Sequence, residues 1–159
     1  VYLEQHSDEY KINQYCGKLK NLNHDIINSF NGKEVDVRTY SPLAFAYIGD
    51  DVFDLIIRTI VINRGNTGPD KLHNTCIKYV SAVAQANMYD AIMPVLDDEE
   101  ADVLRRGRNS KPHTKAKNAS SEEYMKATAL ETLIGYLYLK DDMDRIFELI
   151  HTGIDSIED

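Results

Sequence analysis

Apolar residues recur along much of this chain at steps of three and four positions, the spacing that one face of an α-helix presents. The first such stretch contains Ile12, Tyr15, Leu19 and Ile26. This periodicity predicts an amphipathic helix near the start of the sequence. The mostly polar residues 31–42 that follow are typical of a connection.

The next stretch, residues 43–62, is apolar on nearly every side of a helical projection, which predicts a helix enclosed by other helices. Pro69 suits the first turn of another helix, which we expect to run toward Met93. Further helices are predicted at residues 97–106, where Gly107 would lie beyond the end, at residues 120–139 and at residues 141–157. No stretch alternates apolar and polar residues as a strand does. The pattern therefore predicts an all-α fold, a helical bundle around a central buried helix.

The chain has 159 residues, enough for one globular domain with a substantial core. We expect residues 1–40 to form an amphipathic helical extension and linker, and residues 41–159 to form the domain. No apolar run approaches the roughly 20 residues of a membrane-spanning helix, and the first residues lack the order of a secretory signal. The expected location is the cytoplasm, without a membrane partner.

Charge is distributed unevenly, because the net charge is −8 while residues 105–118 contain six Lys and Arg and no acid. Such a basic strip on an acidic body can hold phosphate groups while the body repels other polyanions. The strip contains no aromatic residue that could stack on bases. Two interpretations stay open at this point, a solvated loop and a surface that contacts a nucleic-acid backbone.

Three carboxylates, Asp50, Asp51 and Asp54, interrupt the apolar stretch at residues 43–62. On a helix, Asp54 lies one turn after Asp50 and about 40° round the axis, whereas Asp51 is turned about 100° away, toward Arg58. Asp50 and Asp54 are therefore predicted to share the drier side. Stabilisation of partly exposed residues by the helix dipole would explain this placement. A site for a cation would explain it equally well.

Glu131 is a fourth unusual carboxylate, because it lies in the middle of a predicted helix between apolar neighbours. Ala127 and Gly135, one turn before and after it, are small. Small neighbours either allow another helix to approach closely or leave room for a hydrated ion and a phosphate. Gly49 and Gly135 each weaken a helix by up to about 1 kcal/mol, which indicates crowding at both carboxylate positions.

Other chemistries find little support in the sequence. The five histidines are scattered without the paired spacing of a zinc protease, and no glycine-rich phosphate loop is present. Cys16 and Cys76 lie far apart without a CxxC pair, so neither a zinc site nor a disulfide framework is indicated. A cation held by Asp and Glu oxygens would be Mg²⁺, which keeps several waters and takes other ligands from a substrate phosphate.

Three motifs, in this order, resemble the catalytic domain of ribonuclease III. They are AYIGDDVFDLIIR (residues 46–58), LRRGRNSKPHTKAKN (residues 104–118) and ATALETLIGYLYL (residues 127–139). The resemblance covers roughly residues 43–140 and is closer to a short bacterial branch of the family, Mini-ribonuclease III. Ala46 and Thr128 stand where ribonuclease III has a glutamate and an aspartate, which the short branch also lacks. We also expect no double-stranded-RNA-binding domain after this segment.

The resemblance implies roles for individual residues. It makes Asp50 and Glu131 the catalytic residues, both of which bind Mg²⁺, with Mn²⁺ as a substitute. Asp54 and Thr128 are expected beside the ion without binding it directly. The residues expected to bind RNA belong to the basic strip: Arg105, Arg106, Arg108, Asn109, Lys111, Lys115, Lys117 and Asn118.

The function that the resemblance implies is that of a Mg²⁺-dependent endoribonuclease, a homodimer that cleaves double-stranded RNA to leave 5′-phosphate and 3′-hydroxyl ends. It further implies maturation of 23S ribosomal RNA precursors, with a ribosomal protein as an additional partner. The alternative is a non-catalytic RNA-binding or ribosome-associated module, because ribonuclease III folds that have lost their carboxylates exist. The presence of both Asp50 and Glu131 favours the enzyme.

Overall fold

The computed structural model describes residues 22–110 and 120–158 of the chain. Within these residues the chain forms helices and no strand, which confirms the all-α prediction. The α-helices are α1 (Leu22–Ser29), α2 (Pro42–Arg64), α3 (Pro69–Val80), α4 (Ala82–Ile92), α5 (Asp98–Asn109), α6 (Ser121–Leu139) and α7 (Met143–Glu158). Residues 1–21, which contain most of the first predicted helix, lie outside the described part of the chain. None of the helices described is long and apolar enough to cross a membrane.

Local signals in the sequence determine where the helices begin. The Ser41 hydroxyl oxygen accepts a hydrogen bond of 3.1 Å from the backbone N–H of Ala44, and Pro42 occupies the first turn of α2. Asp97 and Ser120 each form a capping box with the glutamate three positions later, at the starts of α5 and α6.

One predicted helix is divided in the structure. We expected a continuous helix from Pro69 toward Met93, but Ser81 has an extended backbone, with ψ at 152°, and separates α3 from α4. The Ser81 hydroxyl oxygen accepts a hydrogen bond of 3.3 Å from the N–H of Ala84, which starts the new helix. The break lets α3 pack on α2 while α4 packs on α6 and α7.

The helix at the centre of the bundle is α6, so our expectation that residues 43–62 would be the central element was wrong. α6 packs against α2, α4, α5 and α7, and residues 127–138 of α6 are all buried except Glu131. α2 contributes Phe45 and Phe53 to the core but keeps one face exposed. Glu131 is therefore the one carboxylate in the most enclosed stretch of α6.

α2 and α6 cross in direct backbone contact at two glycines. A Cβ atom on Gly49 would lie 1.8 Å from the backbone oxygen of Glu131, and one on Gly135 would lie 1.9 Å from the backbone oxygen of Phe45. No side chain fits at either position. The predicted crowding is thus real, and it brings Asp50, the residue after Gly49, to the level of Glu131.

Gly107 lies inside α5, whereas we expected it beyond the end of that helix. A Cβ atom on Gly107 would lie 2.5 Å from the Thr132 hydroxyl oxygen, so this glycine lets α5 pack tightly on α6. The helix then continues to Asn109. The contact places the last turn of α5 against the residue that follows Glu131.

Candidate active site

Asp50 of α2 is close enough to Glu131 of α6 to influence the ionisation of Glu131. Burial raises the pKa of Glu131 to about 8, and the negative charge of Asp50 is the second cause. Burial also raises the pKa of Asp50, followed by the charges of Asp51 and Asp54. The structure therefore brings the two predicted catalytic carboxylates together.

The chemistry of this pair suits a divalent cation. A positive ion between the two carboxylates would offset both the burial of Glu131 and the repulsion that the charge of Asp50 exerts on it. Their ligand atoms are oxygens, and within residues 22–110 and 120–158 no group of three or more His, Cys, Asp or Glu side chains is placed to hold a metal. A site with two carboxylates suits Mg²⁺, since Mg²⁺ retains several waters and uses few protein ligands.

The pKa of Glu131 predicts how pH affects the stability of the protein without metal. Between its ordinary pKa of 4.5 and about 8, Glu131 is protonated in the folded chain but ionised in the unfolded chain, so its contribution to stability falls as pH rises. We expect the stability of Glu131→Gln relative to wild type to rise by up to about 1.4 kcal/mol per pH unit in this window.

The measurement is urea unfolding of both proteins in EDTA at several pH values. Carboxylates with lowered pKa values, such as Glu100, act equally in both proteins and cancel in the difference. A difference that does not change between pH 5 and about 8 would show that Glu131 ionises normally in the folded chain.

The other two aspartates of α2 differ from Asp50. We expected Arg58 on the side of Asp51, but Arg58 Nε donates to Asp54 Oδ2 at 2.5 Å. Asp54 is thereby held by an arginine one turn away and reaches Asp50 only through its charge. Asp51 acts on Asp50 through its charge. Both Asp50 and Asp51 are exposed, so the prediction that Asp50 lies on the drier side of the helix was wrong.

Thr128 is buried three positions before Glu131, on the same helix. Its hydroxyl donates to the backbone oxygen of Tyr124 at 3.0 Å. Its own backbone oxygen accepts from the Thr132 hydroxyl at 2.7 Å. These contacts occupy Thr128 within α6, and a role beside the ion stays a prediction.

Arg105, Arg106, Arg108 and Asn109 lie in the last turns of α5, whereas we expected Arg108 in a loop. Their charges are partly matched: Arg105 pairs with Asp102 at 2.5 Å, Arg106 lies 3.5 Å from the same carboxylate, and Arg108 lies 3.8 Å from Glu122. The side chains of all three arginines are substantially exposed. Exposed pairs of this kind are weak and can exchange partners. The remaining predicted RNA-binding residues, Lys111, Lys115, Lys117 and Asn118, fall outside the described residues.

A surface groove joins the end of α5 to the start of α2. It is lined by Ser41, Pro42, Leu43, Arg105, Arg106, Asn109 and Ser110. Since Asp50 lies two turns into α2, the groove leads from the basic end of α5 to the helix that carries it.

Gln85 of α4 is a polar residue at this site that was not predicted from the sequence. It is only 4% exposed, and its hydrogen bond with the Glu131 carboxylate lowers the pKa of Glu131 against the two larger effects. The segment SAVAQA offered one signal, because a glutamine between alanines that face a core must be buried with a partner.

Comparisons with known proteins agree with this geometry. The family model described as Ribonuclease III domain matches residues 43–142. Mini-ribonuclease 3 of Clostridium tetani is 42% identical over 125 residues, which cover 78% of this chain and 83% of that protein. Mini-ribonuclease 3 of Staphylococcus aureus is 39% identical over 131 residues, 81% of this chain and 98% of that protein. A crystal structure of a Fusobacterium nucleatum protein is 32% identical with a TM-score of 0.67 and covers 76% of this chain and 96% of that one.

Proposed function

The chain belongs to the ribonuclease III domain family and is a ribonuclease-type endonuclease, and from this premise we propose that it cleaves double-stranded RNA at a Mg²⁺ site formed by Asp50 and Glu131. The observation that carries the proposal is the α2–α6 crossing, where Gly49 and Gly135 bring the exposed Asp50 near enough to the half-buried Glu131 to raise its pKa. Mn²⁺ can take the place of Mg²⁺, since it accepts the same oxygen ligands.

In the proposed mechanism, Asp50 and Glu131 are the residues that bind the ion, and binding requires Glu131 to lose a proton. Asp50 and Glu131 would hold the cation, and Glu131 would give up the proton that burial and Asp50 favour. A bound Mg²⁺ would supply positive charge for the phosphate group under attack and lower the pKa of a water at the site. The helix crossing fixes the two carboxylates relative to each other. In the proposed reaction a water oxygen bonds to phosphorus and the P–O3′ bond breaks, so the 3′ oxygen leaves with a proton as a hydroxyl and the phosphate stays on the 5′ end.

The basic residues at the end of α5 and after it are proposed to contact the RNA backbone. A-form RNA presents phosphates and 2′-hydroxyls rather than readable base edges, so exposed arginines, lysines and small polar groups suit it. The proposed contacts are the predicted set: Arg105, Arg106, Arg108, Asn109, Lys111, Lys115, Lys117 and Asn118.

Changing both Lys111 and Lys117 to Ala is expected to weaken RNA binding and to reduce its dependence on salt. Removing one lysine that binds a phosphate lowers the slope of log affinity against log salt concentration by about 1, so the slope should fall by about 2. Fluorescence anisotropy with a labelled RNA duplex, in Ca²⁺ or EDTA to prevent cleavage, measures the slope. The control variant changes both Lys33 and Lys71 to Ala. These lysines are exposed elsewhere on the chain, and the control has the same net charge as the Lys111 and Lys117 variant. Equal slopes for the two double variants would remove Lys111 and Lys117 from the RNA contact.

The exposed face of α2 supports the proposed homodimer. Tyr47, Leu55 and Ile62 are 79%, 60% and 55% exposed and recur at steps of eight and seven residues, so they line one side of the helix. An apolar stripe of this kind on a surface marks an interface. A dimer with α2 at its centre places the two Asp50 residues on either side of the interface, one for each RNA strand.

Leu55→Asp is expected to convert the dimer to monomers, because it places an unpaired charge in an apolar interface. Sedimentation equilibrium at several protein concentrations measures the dissociation constant, which should rise at least about a hundredfold. The control is Phe30→Asp, at an apolar residue that is 82% exposed outside α2. If Leu55→Asp associates as tightly as Phe30→Asp, the interface lies elsewhere.

Maturation of a 23S ribosomal RNA precursor in the cytoplasm, with a ribosomal protein as an additional partner, is the proposed cellular role. Only the relatedness to Mini-ribonuclease 3 supports this part of the proposal. The first test is incubation of the purified chain with an RNA duplex, a DNA duplex and single-stranded RNA, each in Mg²⁺ and in EDTA. We expect cleavage of the RNA duplex in Mg²⁺ alone. Binding of the RNA duplex without cleavage would instead favour the non-catalytic module.

A further inference from the structure

Gln85 is a buried polar side chain at the site whose role the proposed mechanism leaves open. It lies on α4, which packs against α6, the helix that carries Glu131. Burial of a carboxamide costs free energy unless both its nitrogen and its oxygen find partners. Each end of this carboxamide therefore needs a partner of its own.

The nitrogen of Gln85 is held by the end of another helix. Nε2 donates to the backbone oxygen of Val80 at 3.1 Å. Val80 is the last residue of α3, and carbonyls at a helix end lack partners within the helix. Rotating the amide by half a turn would set Oε1 against this carbonyl, so the orientation is fixed. The same carboxamide lies close enough to Glu131 to lower the pKa of its carboxyl, which is the effect of a hydrogen-bond donor.

The oxygen of Gln85 has no partner. Oε1 is fully buried and accepts no hydrogen bond from any residue within 22–110 or 120–158. An acceptor without a partner beside the carboxylates is unfavourable, and a hydrogen-bond donor that enters the site with the cation would satisfy it. The water molecules that Mg²⁺ retains are strong donors of the required kind.

We propose that Gln85 is a positioning residue of the cation site, whose amide nitrogen orients the Glu131 carboxylate and whose Oε1 accepts a hydrogen bond from water bound to the cation. This inference rests on the proposed function, because it takes Asp50 and Glu131 as the ligands. Anchoring on Val80 gives the amide a fixed position, so Gln85 couples the end of α3 to the site. Within residues 22–110 and 120–158, no third His, Cys, Asp or Glu joins the pair.

The test is Mn²⁺ binding without RNA, measured by electron paramagnetic resonance and by calorimetry on Gln85→Met. Methionine keeps the volume and apolar packing but removes both amide atoms. We expect Mn²⁺ affinity to fall by about tenfold or more. The Mg²⁺ concentration for half-maximal duplex cleavage should rise by the same factor, while the rate at saturating Mg²⁺ falls much less.

Asn23→Leu is the matched control. Asn23 Nδ2 donates to the backbone oxygen of Leu139, at the end of α6, at 3.3 Å, so this change also removes a carboxamide from a helix end, but away from the carboxylates. Both variants should lose thermal stability, and only Gln85→Met should lose Mn²⁺ affinity. Equal Mn²⁺ affinity in wild type and Gln85→Met would overturn the inference and leave Gln85 as a cap of α3.

Gln85→Asn keeps the experiment decisive if Gln85→Met does not fold. Asparagine retains the amide but withdraws it by one methylene, so weaker Mn²⁺ binding is again expected and wild-type binding would overturn the inference. The outcome is separate from that of the proposed function. If the wild-type chain binds Mn²⁺ but cuts no RNA duplex, the proposed enzymatic function is wrong. If the Gln85→Met variant cuts the duplex normally, only the proposed role of Gln85 is wrong.

Discussion

Glu131→Gln is expected to lower the rate of RNA-duplex cleavage in Mg²⁺ by about a thousandfold or more, a loss of several kcal/mol of transition-state stabilisation. The substitution keeps the shape of the side chain but removes the charge that binds the cation. It should not harm the fold, because the Glu131 carboxyl is largely protonated near pH 7 in the metal-free protein, as its pKa of about 8 requires. Loss of activity together with equal or higher stability is therefore the expected combination.

Single-turnover cleavage of a labelled RNA duplex, with enzyme in excess, gives the rate without a contribution from product release. Glu148→Gln is the control, since Glu148 is exposed on α7 and pairs with Arg145. Its rate should stay within about twofold of wild type, as a surface substitution away from the site is nearly neutral. A Glu131→Gln rate above a tenth of wild type would mean that this carboxylate does not bind the catalytic ion.

Gly49→Ala is expected to destabilise the protein by about 4 kcal/mol or more, among the largest effects of any single methyl group. The added Cβ would lie 1.8 Å from the backbone oxygen of Glu131 and 2.7 Å from the backbone nitrogen of Gly135. Backbone atoms cannot rotate away as a side chain can, so α2 and α6 must separate. Any folded fraction should also cleave poorly, because separation of the helices moves Asp50 away from Glu131.

Thermal and urea unfolding measure this effect. Gly65→Ala is the control, because a Cβ there approaches only the Thr67 side chain, at 4.0 Å, and the backbone at Gly65 is extended. We expect Gly65→Ala to lie within about 1 kcal/mol of wild type, of either sign. A Gly49→Ala protein as stable as Gly65→Ala would show that the two helices do not touch at this crossing.

The helices themselves could be predicted from the sequence, because their apolar spacing and capping residues are local signals. Ser41 with Pro42, and Ser120 with Glu123, specify the starts of α2 and α6 without knowledge of the rest of the chain. The break at Ser81 was missed because the apolar spacing runs on through it. A serine can cap a new helix there only because tertiary packing directs α4 toward α6.

The spacing of apolar residues did not show which side of a helix contacts another helix. α2 is apolar all round like a central helix, yet Tyr47, Leu55 and Ile62 are exposed, and we propose that they form an interface between chains. Gly107 was predicted to lie beyond the end of α5. A glycine that ends a helix and a glycine that lets another helix pack closely look the same in the sequence. The pairing of Arg58 with Asp54 rather than Asp51 depended on side-chain geometry that a helical projection does not contain.

The carboxylate site was the most predictable part of the function, because a charge in an apolar stretch and a glycine in a helix are both costly and therefore informative. Asp50 and Glu131 stood out on that basis and were assigned as catalytic residues by the family resemblance, and the charge of Asp50 acts on Glu131 in the structure. Gln85 carries no charge and leaves no comparable mark in the sequence. Its importance emerges only from an oxygen without a partner in three dimensions.

A double-mutant comparison tests most directly whether Asp50 and Glu131 act as one cation site, as we propose. Single-turnover cleavage of an RNA duplex is measured for wild type, Asp50→Asn, Glu131→Gln and the double variant at saturating Mg²⁺. Residues that act as a unit are not additive, so we expect all three variants to show the same loss, about a thousandfold or more. A wild-type rate in either single variant, or a loss in the double variant equal to the product of two smaller single losses, would contradict a shared site.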